Sequence, residues 1–204
     1  SVSIAVTKLL ERKEYYSNPR AVEAIRKEGR ALVDQGTWLE NTVTEKDELL
    51  RGARKRGEKL HHGEIMSICS IKYFEKAEEH HVYKGRLCYR GDQIKDEHGA
   101  VAVLQELSSS PASIQSANCR IAFGMLPGNE VTVADAVRAY IQSYLKSKHP
   151  TWVAIPKELW PADGSWQKRG FKKPMCLLER ALYGHPESGG HWERHLNAAV
   201  KNIG

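Results

Sequence analysis

One carboxylate stands where a protein could hold a metal ion. Asp135 comes after the apolar stretch from Val131 to Val133, which predicts a short strand, and the residues from Ala136 to Leu145 have a helical pattern. An aspartate held between a strand and a helix can present its oxygens to a divalent cation such as Mg²⁺. The same position also suits a helix N-cap. Taken alone, the residue leaves both roles open.

Two β-rich stretches predict a hairpin that carries several cations. They run from Ile65 to Ile71 and from Tyr83 to Tyr89, and a charged segment separates them. Lys72, Lys84 and Arg86 lie on or next to these stretches. Considered without any family context, they are expected to be exposed strand cations paired with the glutamates of the charged segment.

The histidines and cysteines do not suggest a zinc site. The histidines of the pairs His61-His62 and His80-His81 diverge on either a strand or a helix, so neither pair forms a convenient chelate. We expect both pairs to lie in exposed, charged turns. The chain has four widely spaced cysteines and no CxxC motif, which favours a reduced, intracellular protein over a disulfide framework.

The clearest helix signals lie near the two ends of the chain. Asn18 followed by Pro19 predicts an N-cap and a first turn, and Gly36 predicts the end of this amphipathic helix. The spacing of Trp192 and the apolar residues after it predicts a second amphipathic helix.

The elements between these helices are predicted to be shorter. The charged segment 44–60 fits an exposed helix or insertion, and a helix should start near Ser108 to Pro111 and cover 112–125. A turn follows at 127–129, and the segment 150–174 reads as loop with a short strand.

Composition sets only broad limits on the function. The 204 residues are 41% hydrophobic and 27% charged, with a net charge of +6 that would attract a polyanion. No apolar run approaches the roughly 20 residues of a membrane-spanning helix. Because the sequence has no GxGxxG, P-loop or GxSxG motif, we do not expect the protein to be an unrelated metabolic enzyme. The missing initial methionine favours a piece of a longer protein.

The chain resembles the reverse transcriptase domain of copia-type retrotransposons over nearly its whole length, and four motifs carry the resemblance. The first is a lead-in helix that closes on a Gly-Thr-Trp triplet; its matching residues are Ala24, Ile25, Glu28, Ala31, Leu32, Gly36, Thr37 and Trp38. The second is similar to a fingers strand of that family and runs from Tyr83 to Gln93, with Gly85 where the family usually has alanine.

The third and fourth motifs resemble palm and pocket segments of the family. Asp135 to Gln142 is similar to the palm motif whose aspartate binds both metal ions, and Tyr140 would lie under the incoming sugar. Leu178, the stretch from Ala181 to Gly184 and Trp192 resemble the segment that lines the nucleotide and template pocket. After this stretch, residues 185–189 differ from those usual in the family. The lysine and the glutamine that the family has there are absent from this segment.

The resemblance implies a fragment of an RNA-directed DNA polymerase from a retrotransposon polyprotein. Such a protein binds an RNA or DNA primer-template and a deoxynucleoside triphosphate with Mg²⁺, or Mn²⁺ in its place. Asp135 and the backbone carbonyl of Ala136 would bind the metal. The implied nucleotide-binding residues are Lys72, Lys84, Arg86, Tyr140, Tyr183 and Gly184. The protein partner would be the rest of the Pol polyprotein, which contains the missing palm and RNase H. The location would be intracellular, in a cytoplasmic particle or the nucleus. No membrane partner is expected.

The expected fold is α+β, in the right-hand polymerase arrangement with an incomplete palm. The implied segments are a leader 1–17, a first fingers part 18–105, a palm segment 106–146, a second fingers part 147–184 and a palm helix 185–204. The family's pair of adjacent aspartates is expected after the Trp192 helix, and the sequence reaches Gly204 without it. We therefore expect no polymerase activity from this chain alone.

A non-enzymatic function is the alternative. A decayed or domesticated element could retain a remnant that binds nucleic acid or a protein through the fingers surface. Its cations lie near Tyr73, Tyr83 and Tyr89 in the sequence, which suits backbone contact combined with base stacking.

Overall fold

The computed structural model describes residues 6–102, 104, 112–133 and 135–203. In this part of the chain seven strands form one mixed sheet and there are six α-helices, so the predicted α+β class is confirmed. The strands are β1 (Thr7–Leu9), β2 (Trp38–Glu45), β3 (His61–Lys72), β4 (Val82–Tyr89), β5 (Lys95–Asp96), β6 (Thr151–Ala154) and β7 (Pro174–Leu178). The helices are α1 (Arg12–Ser17), α2 (Pro19–Asp34), α3 (Lys46–Arg56), α4 (Ile114–Gly124), α5 (Ser165–Lys168) and α6 (Ser188–Ile203).

The long strand β3 organises the sheet. Its first residues, 61–64, pair in parallel with β6, and residues 65–72 pair antiparallel with β4. The path of the sheet is β1-β3-β6-β7-β2, while β4 and β5 also pair with β3. The predicted hairpin is therefore confirmed as β3 and β4. The segment predicted as a leader contributes β1, which pairs with β3 over residues 70–72.

The predicted first helix is confirmed as α2. The side-chain oxygen of Asn18 accepts the backbone N–H groups of Arg20 at 2.9 Å and Ala21 at 3.3 Å, and Pro19 occupies the first turn. Beyond the helix, Gly36 has φ of 67°, the left-handed conformation that glycine adopts most easily. The cap and the glycine therefore fix the length of the helix.

Helix α2 lies directly on strand β4. A Cβ atom at Gly85 would stand 2.5 Å from the carbonyl oxygen of Ala24 and 2.7 Å from Cα of Ile25, both on α2. Because these are backbone atoms, no side-chain movement could make room for a larger residue at position 85. The absence of a side chain at Gly85 sets the distance between the helix and the sheet.

The charged segment 44–60 forms the end of β2 and then helix α3. Leu49 and Ala53 of α3 are buried in a small apolar cluster with Leu60, Ala154 and Met175. The prediction of an exposed helix is thus correct for the charged face only. The opposite face packs on the end of the sheet.

The predicted strand from Val131 to Val133 is wrong. These residues have no ladder partner within the described part of the chain, and Val133 is 90% exposed. A short apolar run forms a strand only where a neighbouring strand accepts its backbone groups, and none of the described strands pairs with this segment.

The predicted helix from Ala136 to Leu145 is also wrong. Arg138 has φ of 54°, outside the helical range, and only Tyr140–Gln142 form a single 3₁₀ turn. The chain after this turn runs beside the end of β7, where Leu145 donates its N–H to the Glu179 carbonyl at 2.9 Å. These tertiary hydrogen bonds replace those of a helix.

The remaining predicted elements are largely confirmed. Helix α4 begins after the N-cap Ser113 and is followed by the predicted turn at 127–129, whereas the predicted start at 108–111 lies outside the described residues. Helix α6 is formed, and its apolar residues Leu196 and Val200 are exposed. None of the described helices is both long and apolar enough to cross a membrane.

Candidate functional site

The end of the first motif meets the beginning of the fourth. The backbone carbonyl of Thr37 accepts N–H groups from Glu179 at 2.9 Å and Arg180 at 3.2 Å. Next to it, the Trp38 side chain is buried in the main core. The Gly-Thr-Trp triplet therefore anchors the chain just before Ala181.

The second and fourth motifs are joined by a close backbone contact. Tyr89, at the end of β4, donates its N–H to the Tyr183 carbonyl at 2.7 Å. A Cβ at Gly91 would lie 2.1 Å from the Gly184 carbonyl oxygen, and one at Gly184 would lie 2.1 Å from the Tyr89 carbonyl oxygen. Gly184 also has φ of 86°. Both glycines are therefore required where the two segments touch.

The third motif reaches the fourth through two aromatic rings. The rings of Tyr140 and Tyr183 meet edge to face, with centroids 4.8 Å apart. Beside them, the Arg138 guanidinium forms an ion pair with Glu28 of the first motif at 3.3 Å. Residues from three motifs thus surround Tyr183.

The electrostatic environment of Tyr183 includes the predicted metal ligand. Burial is the main cause that raises the pKa of its hydroxyl, and Tyr140 adds to this effect. The charges of Glu28 and Asp135 raise the pKa further, while that of Arg86 lowers it. Three other predicted site residues, Asp135, Tyr140 and Arg86, therefore lie within electrostatic reach of Tyr183.

Asp135 itself is exposed in an irregular segment, as is Ala136. The alternative role as a helix N-cap is wrong, because no helix follows. Among the described residues, no group of three or more histidine, cysteine, aspartate or glutamate side chains is arranged to hold a metal ion. Asp135 therefore offers a single side-chain carboxylate to a cation here.

The three predicted phosphate-binding cations share one face of the β3–β4 hairpin. Lys72 is paired with Val82, and Lys84 and Arg86 follow on β4 with the same side-chain orientation. None of them forms an ion pair with any described residue. Pairing with the neighbouring glutamates, the alternative considered from the sequence, is thus not observed. The result is an open cationic face next to the tyrosine pair.

One group of residues near the site was not recognised from the sequence. His185, His191 and Glu187 are buried where the fourth motif enters α6, and the Ser147 hydroxyl donates a hydrogen bond to Glu187. The Nε2 atoms of both histidines have no hydrogen-bond partner among the described residues. The Nδ1 atoms do have partners, the Glu187 N–H for His185 and the Arg194 guanidinium for His191. A buried ring nitrogen such as Nε2 rarely lacks one.

The histidine pairs differ in their placement. His80 and His81 lie in the exposed connection between β3 and β4, as expected. The prediction is wrong for the other pair: His62 is buried in β3, and His61 lies 5.4 Å from His149, ring centre to ring centre. The residues that cover them come from distant segments, so local sequence gave no signal of their burial.

Two of these histidines are strongly held in the neutral form. Burial, with smaller contributions from His191 and His61, lowers the pKa of His185 to about 3. Burial also lowers the pKa of His62 to about 4, together with the nearby charges of Lys46 and Lys173. Neither residue is therefore expected to carry charge near neutral pH.

No family model, curated protein or solved structure matches the chain. The resemblance to copia-type reverse transcriptases consequently depends on the motif residues themselves and on how the fold arranges them.

Proposed function

We propose that this chain is the fingers and first palm part of an RNA-directed DNA polymerase from a retrotransposon polyprotein. The observation that supports it best is the meeting of the four motifs around Tyr183. Motifs separated by up to about 150 residues of sequence have no local reason to be neighbours. Their contact at one place is what a shared nucleotide site would require.

In this proposal the metal is bound at the edge of the tyrosine pair. Asp135 and the backbone carbonyl of Ala136 would hold Mg²⁺, or Mn²⁺, which in turn neutralises the triphosphate. Arg86 and Lys84 would bind the phosphates, with Lys72 farther along the same face. Tyr140 and Tyr183 would bound the sugar and base of the nucleotide.

The chain is proposed to be inactive alone. Phosphoryl transfer with two metal ions requires more carboxylate ligands than Asp135 supplies, and their loss costs several kcal/mol of transition-state stabilisation. The missing ligands would come from the rest of the polyprotein, so catalysis depends on the complete palm.

A non-catalytic role in binding nucleic acid is the second candidate. The open cationic face of Lys72, Lys84 and Arg86 favours it, since unpaired cations on one sheet face can follow a phosphate backbone. This role needs no metal. It also accommodates the exposed, irregular setting of Asp135.

Primer extension on a homopolymer template separates the two candidates. The protein should be compared with a version extended by about a hundred codons of its gene, a length typical of a domain. We expect activity only in the extended protein, and Asp135→Asn should reduce it about a thousandfold. Asp47→Asn, which removes an exposed carboxylate outside the four motifs, is the matched control and should retain activity.

A different result would favour the second candidate. If the extended protein is inactive but both versions bind single-stranded nucleic acid, the polymerase proposal fails. Binding should then weaken with salt and with Lys84→Ala and Arg86→Ala, and it should not respond to Asp135→Asn.

A further inference from the structure

The sheet has an internal opening beside the middle of β3. On the side opposite β4, residues 61–64 of β3 pair with β6 and residues 70–72 pair with β1. Between these two partners, none of the described strands lies beside residues 65–69 on this side. The opening is thus bounded by sheet at both ends and by β3 along its length.

Local chemistry explains why neither flanking strand fills the opening. After β1, the chain turns at Glu11 into the capped helix α1. On the other side, β6 is followed by Ile155 and Pro156, and proline has no N–H with which to continue pairing along β3. Both strands therefore end at the opening.

The unpaired edge of β3 offers unused backbone hydrogen-bonding groups. The Cys69 carbonyl points into the opening, where it accepts the N–H of Leu10 at 2.9 Å. Since backbone groups alternate in direction along a strand, the N–H and C=O of Ser67 point the same way. Neither group has a partner among the described residues. Unsatisfied strand edges of this kind readily accept a further strand.

The opening belongs to a cavity large enough for a peptide. Its volume is about 770 Å³, within the range of known ligand sites. Apolar walls come from the β1 end, from the residues after β6 and from Trp160. A bound segment could therefore bury apolar side chains as well as pair its backbone.

The charges around the cavity are mostly positive. Two carboxylates line it, and both are engaged: Glu64 is paired with Lys173, and Glu158 accepts hydrogen bonds from the hydroxyls of Tyr16 at 3.0 Å and Ser67 at 2.8 Å. The cations that line the same cavity are Arg12, Arg90, Lys157, Lys172 and Lys173. Lys173 is paired with Glu64, and Arg90 is paired with Asp92. The other three, Arg12, Lys157 and Lys172, form no ion pair with a described residue, and they favour an acidic ligand.

We propose that this opening binds an extended acidic peptide segment as an added strand along residues 65–69 of β3. The peptide backbone pairs with Ser67, and alternate side chains enter the apolar cavity. Acidic side chains pair with the cations at the rim. Strand addition of this type derives its affinity from the backbone and its specificity from the flanking pockets. The proposal is independent of the nucleotide site, which lies on the other side of β3, beyond β4.

Fluorescence anisotropy with a labelled peptide tests the proposal. The probe is an N-acetylated seven-residue peptide in which glutamate and valine alternate. We expect binding to the complete chain, and Lys157→Glu combined with Lys172→Glu should weaken it about tenfold. Lys148→Glu combined with Lys146→Glu makes the same charge change on exposed residues outside the cavity and should leave the affinity unchanged.

Two further probes test the backbone pairing. The same peptide with its central three residues N-methylated has the same charge but cannot donate hydrogen bonds, so it should bind at least about tenfold more weakly. Amide exchange measured by NMR should show slower exchange of the Ser67 N–H with the unmodified peptide. Equal binding of the methylated peptide, or unchanged Ser67 exchange, would overturn the proposal. Displacement of the peptide by a single-stranded oligonucleotide, with no protection of Ser67, would indicate a polyanion surface instead.

Discussion

At the scale of single residues, the most unusual environment is that of His185. Its Nδ1 atom accepts the backbone N–H of Glu187 at 3.3 Å, so the neutral ring is part of the turn that leads into α6. Next to it, the Ser188 hydroxyl donates to the Leu182 carbonyl at 2.7 Å. A proton on Nδ1 would turn the acceptor into a second donor facing Glu187. The turn is therefore compatible only with the uncharged ring.

Stability should consequently decrease in mild acid. The pKa of His185 falls from 6.5 to about 3 on folding, so between these pH values the unfolded chain binds a proton that the folded chain excludes. The stabilisation is complete above pH 6.5 and is lost as the pH falls below it. Because of His185 alone, the free energy of unfolding should be about 2 kcal/mol lower at pH 5 than at pH 7.5.

Urea unfolding at these two pH values measures the effect. In His185→Gln the difference between the two pH values should shrink by about 2 kcal/mol, whereas His80→Gln, a change in an exposed histidine, should leave it unaltered. An identical pH dependence in the wild type and His185→Gln would rule out His185 as the source.

At the scale of elements, the packing of α2 on β4 depends on a single missing methyl group. The family that the chain resembles usually has alanine at position 85. Here the backbone of α2 at Ala24 occupies the space that a Cβ atom would need. The helix therefore lies closer to this strand than an alanine would permit.

Gly85→Ala should accordingly destabilise the protein, although it restores the residue that is usual in the family. We expect a loss of about 2 kcal/mol, the usual cost of overpacking a closed interface. Gly52→Ala is the matched control: it lies within α3, where the added Cβ would meet only the flexible end of Arg56. That change should stabilise the protein by about 0.5 kcal/mol. Thermal unfolding of both variants measures these effects. An unchanged melting temperature of Gly85→Ala would show that α2 can move away from β4 to make room for the added methyl group.

At the scale of the whole molecule, the sequence predicts elements whose signals are local. Asn18, Pro19 and Gly36 determine α2 within one short segment, and the alternation of β3 and β4 determines the hairpin. The errors at 131–133 and 136–145 arise because tertiary partners decide the outcome there. Arg180, for example, donates to the carbonyls of Ile141 and Gln142, which no local pattern could reveal.

The residues of the candidate site also divide into those with a local sequence signal and those without one. The motif residues could be selected from the sequence, and the structure places Tyr140 against Tyr183, with Asp135 and Arg86 within electrostatic reach of Tyr183. The buried histidines were missed, since their neighbours come from separate parts of the chain. The opening beside β3 was also missed, because it depends on where two unrelated strands stop.

The exposed helix α4 has a consequence for how the chain can be divided. It buries no residue, and the described residues from 112 to 133 are exposed apart from Gly124. The first five strands precede it, whereas β6 and β7 follow it and lie between β3 and β2 in the sheet. A protease site inserted between Pro127 and Gly128 should therefore give two pieces that remain associated in gel filtration. Neither piece contains all the strands of the described sheet. The cleaved protein would therefore be a split protein, and recovery of the folded sheet would measure the association of its two pieces.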